Sequence, residues 1–300
     1  THMGQLAKTL NGRLNDTNNP MHEDLKYRYL ASTLVVTKDD PFSLGLKKRS
    51  DYLDELLSEI RVQTLKILSE APAGQALTDK VASQLAQNDL RVRTQAGLTL
   101  AKLGGKVPFA LFLQDAENDL RLPWLRHGIV SGMAGTQLPA ELLTIAQAKT
   151  GAEAVFATLA LARQGSPLLA RLLSHVNPEV VTEAARAIHD DEGIPSAQGE
   201  LARSFGASAQ PFHAARRALN ANLREGDEVS LKRVVDWTLK QPPGAPLRAD
   251  ALNMLLAFGQ PPLLDIVDGT ARKHAARPAE SIARVLSARQ DELLAIQKPD

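Results

Sequence analysis

Cysteine is the one amino acid whose absence from these 300 residues is informative at once. Without cysteine, the chain cannot form disulfide bonds, thiolate metal sites, cysteine nucleophiles or a covalent c-type haem attachment. Because neither thiols nor disulfides are present, cysteine usage does not indicate a redox compartment.

Aromatic residues are also scarce, and neither sign of charge is in clear excess. Aromatics make up 4% of the chain and hydrophobic residues 44%, so the core must consist mainly of Leu, Ala, Val and Ile, which suits closely packed helices. The 35 basic and 34 acidic residues give a formal net charge of +1, which offers no global attraction for a polyanion. No segment has the run of about 18 apolar residues expected of a membrane span, and none has the apolar core of a signal peptide.

The first part of the sequence differs in character from the rest. Thr1-His2-Met3 resembles a cloning remnant, and the turn-forming residues that follow predict a mobile lead-in over residues 1–20. Residues 21–72 are predicted to form N-terminal helices, at 21–36 and 44–70, that pack against the remainder of the chain.

A helical unit recurs after residue 72, most plainly after Asn177. This residue is a predicted N-cap, and Pro178 occupies the first turn, where its missing N–H costs nothing. The apolar residues that follow have the spacing i, i+3, i+4, i+7 of an amphipathic helix: Val181, Ala184, Ala185 and Ile188. Gly193 and Pro195 are typical of a helix end.

Six positions anchor this register along the chain: residues 92, 125, 155, 181, 211 and 247. Their mean spacing of about 31 residues accommodates two helices and two turns. Partner helices are predicted between the anchors, with starts at Pro108, Pro139, Ser166-Pro167 and Pro261-Pro262. Residues 278–296 are predicted to form a single terminal capping helix.

Small residues at matching positions allow neighbouring hairpins to approach closely: Ala96, Gly128, Ala185, Ala215 and Ala251. A helical pair of this size cannot bury its apolar face alone, so the pairs must stack. The sequence therefore predicts an all-α fold, a right-handed α-solenoid of the HEAT or armadillo-like type. Residues 73–300 would form the HEAT-like repeats and their C-terminal cap.

Motifs that carry chemistry are absent or imperfect. No glycine-rich phosphate loop is present. The segment 128–132 has a serine between glycines, but the serine is one place late for a hydrolase elbow and no strand precedes it, so close helix packing is the preferred interpretation. The run from His189 to Glu192 is the densest set of ligand-type residues, and we interpret it as a solvated turn at a helix end. We therefore predict no catalytic, cofactor-binding or metal-binding residues.

A candidate interaction surface consists of six residues: Trp124, Arg126, His127, Arg216, Arg217 and Asn220. Trp124 stands beside a cation and an imidazole, although a buried ring is the alternative for either tryptophan. A recurring arginine in the anchor helices is expected to tie one repeat to a carboxylate, and Asp89 lies four residues before Arg93. One of Asn220 and Asn222 is expected to satisfy a turn carbonyl or the adjacent repeat.

Three segments resemble one group of proteins: residues 183–188 (EAARAI), 217–226 (RALNANLREG) and 247–252 (LRADAL). They are similar to the helical middle region of large bacterial membrane-associated dehydrogenase-like proteins, frequent in planctomycetes and verrucomicrobia. The resemblance covers residues 85–275 and is strongest over 178–260. Those proteins join a sorbosone-dehydrogenase-like β-propeller, HEAT-like repeats and a c-type haem domain.

The resemblance implies a periplasmic or extracytoplasmic location and the role of a helical spacer. This chain has no propeller and no Cys-x-x-Cys-His motif, so no catalytic or haem residue of the family can be carried over. Only the role of the spacer transfers.

The sequence thus predicts a non-enzymatic scaffold or protein-interaction module without cofactors, part of a larger exported redox protein. Its expected partners are proteins or adjacent domains of the same polypeptide. An alternative is a nucleic-acid-binding or DNA-repair solenoid, with a basic stripe of anchor-helix arginines and Lys47, Lys48 and Arg49 at the other end. A third hypothesis is an enzyme that uses His127, His189 or His213 with nearby carboxylates.

Overall fold

A computed structural model describes residues 58–70, 74–206 and 210–296. Within these ranges the regular structure is helical, and strand pairing is limited to an isolated antiparallel bridge between Leu264 and Ala271. The predicted all-α class is confirmed. The helix predicted over 21–36, and the part of the 44–70 helix before residue 58, lie outside the described residues, as does the predicted lead-in.

The chain divides after Leu138 into two compact units. The α-helices described in the first unit are α1 (Ser58–Leu68), α2 (Gln75–Ala82), α3 (Leu90–Leu103), α4 (Ala116–Arg121) and α5 (Pro123–Thr136). Short 3₁₀ turns cover Ser83–Ala86 and Phe109–Phe112. The partner helix predicted to start at Pro108 is therefore a single 3₁₀ turn.

The second unit begins with Pro139. Its α-helices are α6 (Pro139–Ala148), α7 (Ala152–Arg163), α8 (Pro178–His189), α9 (Pro195–Ser204), α10 (Phe212–Glu225), α11 (Glu228–Lys240), α12 (Arg248–Ala257), α13 (Ala279–Ser287) and α14 (Gln290–Ile296). A 3₁₀ helix spans Pro167–Leu172. Two predictions were wrong: no helix begins at Pro261-Pro262, and the terminal segment forms two helices instead of one.

Each sequence anchor falls in, or directly before, a helix, and successive anchor helices of one unit contact each other. In the first unit α3 packs against α5, and in the second unit α7 packs against α8, α8 against α10, and α10 against α12. In the second unit the intervening elements also contact one another: α6 meets the 3₁₀ helix, which in turn meets α9. Within each unit, the anchor helices thus contact one another in chain order.

The helix starts follow from local chemistry. Asn177 accepts a hydrogen bond from the backbone N–H of Glu179 at 2.8 Å, and Pro178 is the first helical residue, as predicted. Asp89 and Asp227 cap α3 and α11 in the same way. Pro195, which the sequence suggested as part of a helix end, is instead the first residue of α9.

Helices α3 and α5 approach closely through glycine. A Cβ atom added to Gly128 would lie 2.6 Å from the carbonyl oxygen of Thr94, and one added to Gly97 would lie 2.3 Å from the carbonyl oxygen of Gly128. Gly132 and Gly135 face the backbone of α3 in the same manner. The segment 128–132 is therefore a helix-packing surface, as the sequence analysis preferred.

A buried ion pair joins two elements of the first unit. The guanidinium of Arg93 contacts both carboxylate oxygens of Asp119, at 2.9 and 2.5 Å, and both residues are 3% exposed. The expected arginine–carboxylate link is present, but its partner is Asp119. Asp89 accepts backbone hydrogen bonds as the N-cap of α3 instead.

Candidate functional site

Charged and polar side chains converge in the second unit, where the end of α8, the middle of α10 and the segment 263–272 meet. We call this set the polar cluster: His189, Asp190, Arg217, Asn220, Arg224, Asp265, Asp268 and Arg272. On α10 its members are spaced by three and four residues, which places them on one helix face.

The cluster members outside α10 lie next to two backbone turns. After α8, Gly193 has φ +58°, and a Cβ there would lie 2.3 Å from the carbonyl oxygen of Ile188, so this reversal favours glycine. The segment 263–272 folds back on itself: Asp265 donates its N–H to the carbonyl of Thr270 at 2.9 Å, and Arg272 donates to Leu263 at 2.8 Å. The second turn points Asp265 and Asp268 toward Arg224 of α10.

His189 is 0% exposed at the last position of α8. The side-chain amide of Asn220 lies 2.9 Å from its Nε2 atom. Because an NH₂ group can only donate, Nε2 is the acceptor. Nδ1 carries the proton and donates it to Asp190 at 3.0 Å, which is nearer than the donor-only Nη2 of Arg224 at 3.3 Å. Burial lowers the pKa of His189, with repulsion from Arg224 adding to it against the hydrogen bond to Asp190.

Asp190 accepts a bidentate pair from Arg217, with Nε at 2.8 Å and Nη2 at 2.7 Å. Such fork-to-fork pairs are strong and geometrically specific. Burial acts to raise the pKa of Asp190, but the hydrogen bonds from His189 and Arg217 outweigh it and hold this pKa well below the usual range. The pair links the end of α8 to α10.

Asp265 is the most connected carboxylate of the cluster. Its Oδ2 atom accepts from Asn220 at 2.7 Å and from Arg224 Nε at 2.8 Å, and Oδ1 accepts from the backbone N–H of Val267 at 2.9 Å. Although burial opposes ionisation, these donors lower the pKa of Asp265 to about 2. The side chain therefore fastens its own turn to α10.

Asp268 completes the charge balance of the cluster. Its Oδ2 atom lies 3.1 Å from Nη2 of both Arg224 and Arg272, while Oδ1 accepts from the N–H of Thr270 at 2.9 Å. Burial acts to raise the pKa of Asp268, but the donors from Thr270 and Arg272 lower it on balance. Arg224 also donates to the carbonyl of His189, and Arg272 to that of Asp191.

Ligand-type atoms of His189, Asp190 and Asp268 lie within 4.8 Å of one another, which is close enough for all three to reach one metal ion. Three carboxylates in the cluster are matched by three guanidinium groups that already contact them. A cation would have to displace these arginines, so the donor set does not favour one. The side chains of the cluster therefore balance one another's charges, although Oδ1 of Asn220 is buried without a hydrogen-bond partner in the part of the chain that the structure describes.

Residues 189–192 were predicted to form a solvated turn at the end of α8, and this prediction was wrong for His189. His189 is buried because α10 and the segment 263–272 cover it, whereas Asp191 and Glu192 are exposed. Sequence reasoning missed Arg224, Asp265, Asp268 and Arg272. The available signals were the spacing of Arg224 four residues after Asn220 and the Asp-x-x-Asp-Gly pattern at 265–269, which is typical of a turn.

The predicted interaction surface separates into exposed and interior residues. In the first unit, Trp124 is 45% exposed, so its alternative as a buried ring was wrong; His127 is exposed, and Arg126 donates to the carbonyl of Leu120 at 3.2 Å. In the second unit, Arg216 is half-buried and lies 3.3 Å from the carbonyl of Ile266.

Arg217 and Asn220 belong to the polar cluster instead of an open surface. Asn220 is 1% exposed, so its assignment to an interaction surface was wrong. Its neighbour Asn222 is also buried and donates to the carbonyl of Ala202 in α9 at 3.0 Å and to that of Ala218 at 2.8 Å. Asn222 thereby does what was expected of one of the two asparagines.

The three histidines considered for catalysis do not converge. His127 is exposed on α5 in the first unit, and His213 is exposed on α10. In the described part of the chain, His189 is the one histidine grouped with carboxylates as a ligand-type cluster, and both of its ring nitrogens already have partners.

A second concave feature of this unit is the aromatic cleft, defined by Phe205, Gln210, Phe212, Trp237, Gln241 and Pro246. It has a volume of about 300 Å³. The other lining residues are small or aliphatic, and charged side chains are absent from the lining described. The cleft therefore suits a neutral, largely apolar group.

The chain was compared with protein-family models, curated proteins and solved structures. No family model and no curated protein matches the chain. Among solved structures, the chain is similar to an engineered protein from the Northeast Structural Genomics Consortium, with 15% identity, coverage of 96% of this chain and 90% of that one, and a TM-score of 0.34. In the described ranges, no helix combines the length and apolar character needed to cross a membrane.

Proposed function

We propose that this chain is a non-enzymatic scaffold, a right-handed HEAT-like α-solenoid whose surface binds segments of other proteins or adjacent domains. The observation that carries the proposal is the pairing of the charged groups within the polar cluster. Its histidine has both ring nitrogens engaged, and each of its carboxylates is held by an arginine. Such groups stabilise the packing of α8, α10 and the following turn and leave no base poised for catalysis.

The order of helix contacts supports the solenoid. Anchor helices at a spacing of about 31 residues contact one another in series within each unit, and in the second unit the intervening elements also contact one another. This is the nearest-neighbour contact pattern of stacked helical repeats.

The anchor-helix arginines weigh against the nucleic-acid alternative. Arg93 is buried against Asp119 and Arg217 is held by Asp190, so these guanidiniums are neutralised inside the protein. Arg216 lies 3.5 Å from Asp250. A basic stripe that grips phosphates needs such charges free at the surface.

The spacer role and the periplasmic or extracytoplasmic location rest on the resemblance of residues 85–275, strongest over 178–260, to dehydrogenase-like proteins. They form part of the proposal as the cellular context in which the scaffold would position its partner domains.

The scaffold function is tested by selecting binders from a displayed library of random peptides with the purified chain. We expect enriched sequences that share a motif, and saturable 1:1 binding of the synthetic peptide in calorimetry. In parallel, fluorescence anisotropy with duplex DNA at about 50 and 200 mM salt tests the alternative, since phosphate binding loses affinity steeply over this range. Failure to enrich any peptide would overturn the scaffold, and salt-dependent DNA binding in its place would support the alternative.

A further inference from the structure

The aromatic cleft contains a fixed aromatic platform. The rings of Phe205 and Trp237 lie with centroids 4.7 Å apart and planes inclined by 43°. Phe205 is 3% exposed, so it supports Trp237 from the protein interior. This arrangement fixes the indole orientation before any ligand arrives.

Gly206 is matched to this platform. It has φ +76°, and a Cβ atom at this position would lie 2.6 Å from Cδ1 and 3.4 Å from Nε1 of Trp237. A side chain would therefore displace the indole or block its edge. The Phe205-Gly206 pair thus shapes the cleft wall around Trp237.

Among the described residues, two polar atoms at the cleft have no hydrogen-bond partner. The Oε1 atom of Gln210 is buried and accepts no hydrogen bond from this part of the chain, while Nε2 of Gln210 donates to Ser204 Oγ at 3.1 Å. Within the described ranges, the indole N–H of Trp237 donates to no protein group; the backbone carbonyl of the same residue accepts from Gln241 at 3.3 Å. An acceptor withdrawn from water is unfavourable until a donor reaches it.

These features together select the ligand. The absence of charge in the lining disfavours ions, and two polar contacts are few for an oligosaccharide. A polyproline II segment offers flat pyrrolidine rings for aromatic packing, backbone carbonyls for an indole N–H, and a backbone N–H at its non-proline positions.

We propose that the aromatic cleft binds a proline-rich segment of a partner protein in the polyproline II conformation. Proline rings pack on Trp237 and on the exposed rim residue Phe212. A peptide carbonyl accepts from the indole N–H, and a peptide N–H donates to Gln210 Oε1. This inference rests on the proposed scaffold function and names the class of partner.

The probes are decaproline and fluorescein-labelled Pro-x-x-Pro decapeptides, added to the full chain. We expect saturable binding and a shift of the Trp237 indole N–H resonance, which a Trp124→Phe variant distinguishes from the only other indole. Trp237→Phe keeps a ring but removes the donor, and Gln210→Met removes the acceptor at similar volume. Each should weaken binding about fivefold to tenfold, with an unchanged thermal midpoint as evidence of folding.

Leu256→Ala is the matched control, because Leu256 is 81% exposed and does not line the cleft; its affinity should equal that of the parent chain. Affinity unaltered by both Trp237→Phe and Gln210→Met would overturn the proposal, as would binding of a neutral oligosaccharide in place of the peptides. If random-peptide selection yields a motif without proline, the cleft assignment fails while the scaffold stands. If neither selection nor the proline probes give binding, both fail.

Discussion

Asn220 donates one amide hydrogen to Nε2 of the buried His189 at 2.9 Å, and the other hydrogen is directed to Asp265 at 2.7 Å. A single side chain therefore determines the histidine tautomer and also joins α10 to the segment 263–272. The helix interior tolerates asparagine here because tertiary partners use its hydrogens.

Replacing Asn220 by leucine should destabilise the second unit by about 2–4 kcal/mol, because it leaves a buried imidazole nitrogen and a buried carboxylate without their donor. Urea denaturation followed by circular dichroism measures the change. Asn253→Leu on the exposed face of α12 is the control and should alter the free energy of unfolding by less than about 0.5 kcal/mol. Equal effects of the two substitutions would contradict the assigned role.

Acid should destabilise the protein in two steps. The folded state lowers the pKa of His189 and of His274, in both cases mainly through burial. It therefore favours the neutral imidazoles, and stability falls as the pH drops below about 6.5. The pKa of Asp265 is lowered to about 2, so the stability from this carboxylate is complete above the unfolded value near 4 and is lost as the pH falls toward 2.

The two steps can be separated by measuring the free energy of unfolding between pH 8 and pH 2. Each histidine contributes a slope of at most about 1.4 kcal/mol per pH unit. The double substitution of His189 and His274 by glutamine should flatten the curve between pH 7 and pH 5 and leave the decline below pH 4. A double variant with the parental slope near pH 6 would refute this explanation.

The helical repeat was predictable because its signals are local. Asn177 and Pro178 mark a helix start by capping chemistry that acts within one turn, and the apolar spacing after them reports a single buried face. The helix predicted to start at Pro261-Pro262 was wrong because that prediction also used only a local signal. Two prolines resemble a helix start, yet residues 263–272 are held as a turn by the bonds of Asp265 to its own segment and to α10.

The polar cluster could not be read from the sequence because its bonds are long-range. His189 is buried only when Asp265, 76 residues away, folds over the end of α8. The burial of Asn220 and the exposure of Trp124 likewise depend on which neighbours cover them. Residue type gives a tendency to burial, whereas the neighbouring repeat decides it.

A glycine-to-alanine substitution should have opposite effects on stability at Gly128, in the close contact of α5 with α3, and at Gly199, in α9. Gly128→Ala should cost about 2 kcal/mol or more, since the new Cβ would lie 2.6 Å from rigid backbone at Thr94. Gly199→Ala in α9 should stabilise by about 0.5–1 kcal/mol, because its nearest neighbour is the flexible end of Arg203 at 3.5 Å and alanine favours the helix. Urea midpoints of the two variants check the signs. An unchanged or raised midpoint for Gly128→Ala would contradict the packing argument, and a lowered midpoint for Gly199→Ala would contradict the expected gain in helix propensity.

The buried pair of Arg93 and Asp119 should behave as one unit in a double-mutant cycle. Arg93→Met alone leaves a carboxylate buried without its partner and should cost about 3–5 kcal/mol, and Asp119→Leu should cost a similar amount. The double variant should cost much less than the two single losses together, because no uncompensated charge remains. The exposed pair of Arg203 and Glu200 is the control, with a coupling below about 0.5 kcal/mol. If unfolding measurements gave additive losses at Arg93 and Asp119, each side chain would stabilise the first unit through separate contacts, and the ion pair would not be the link between α3 and α4.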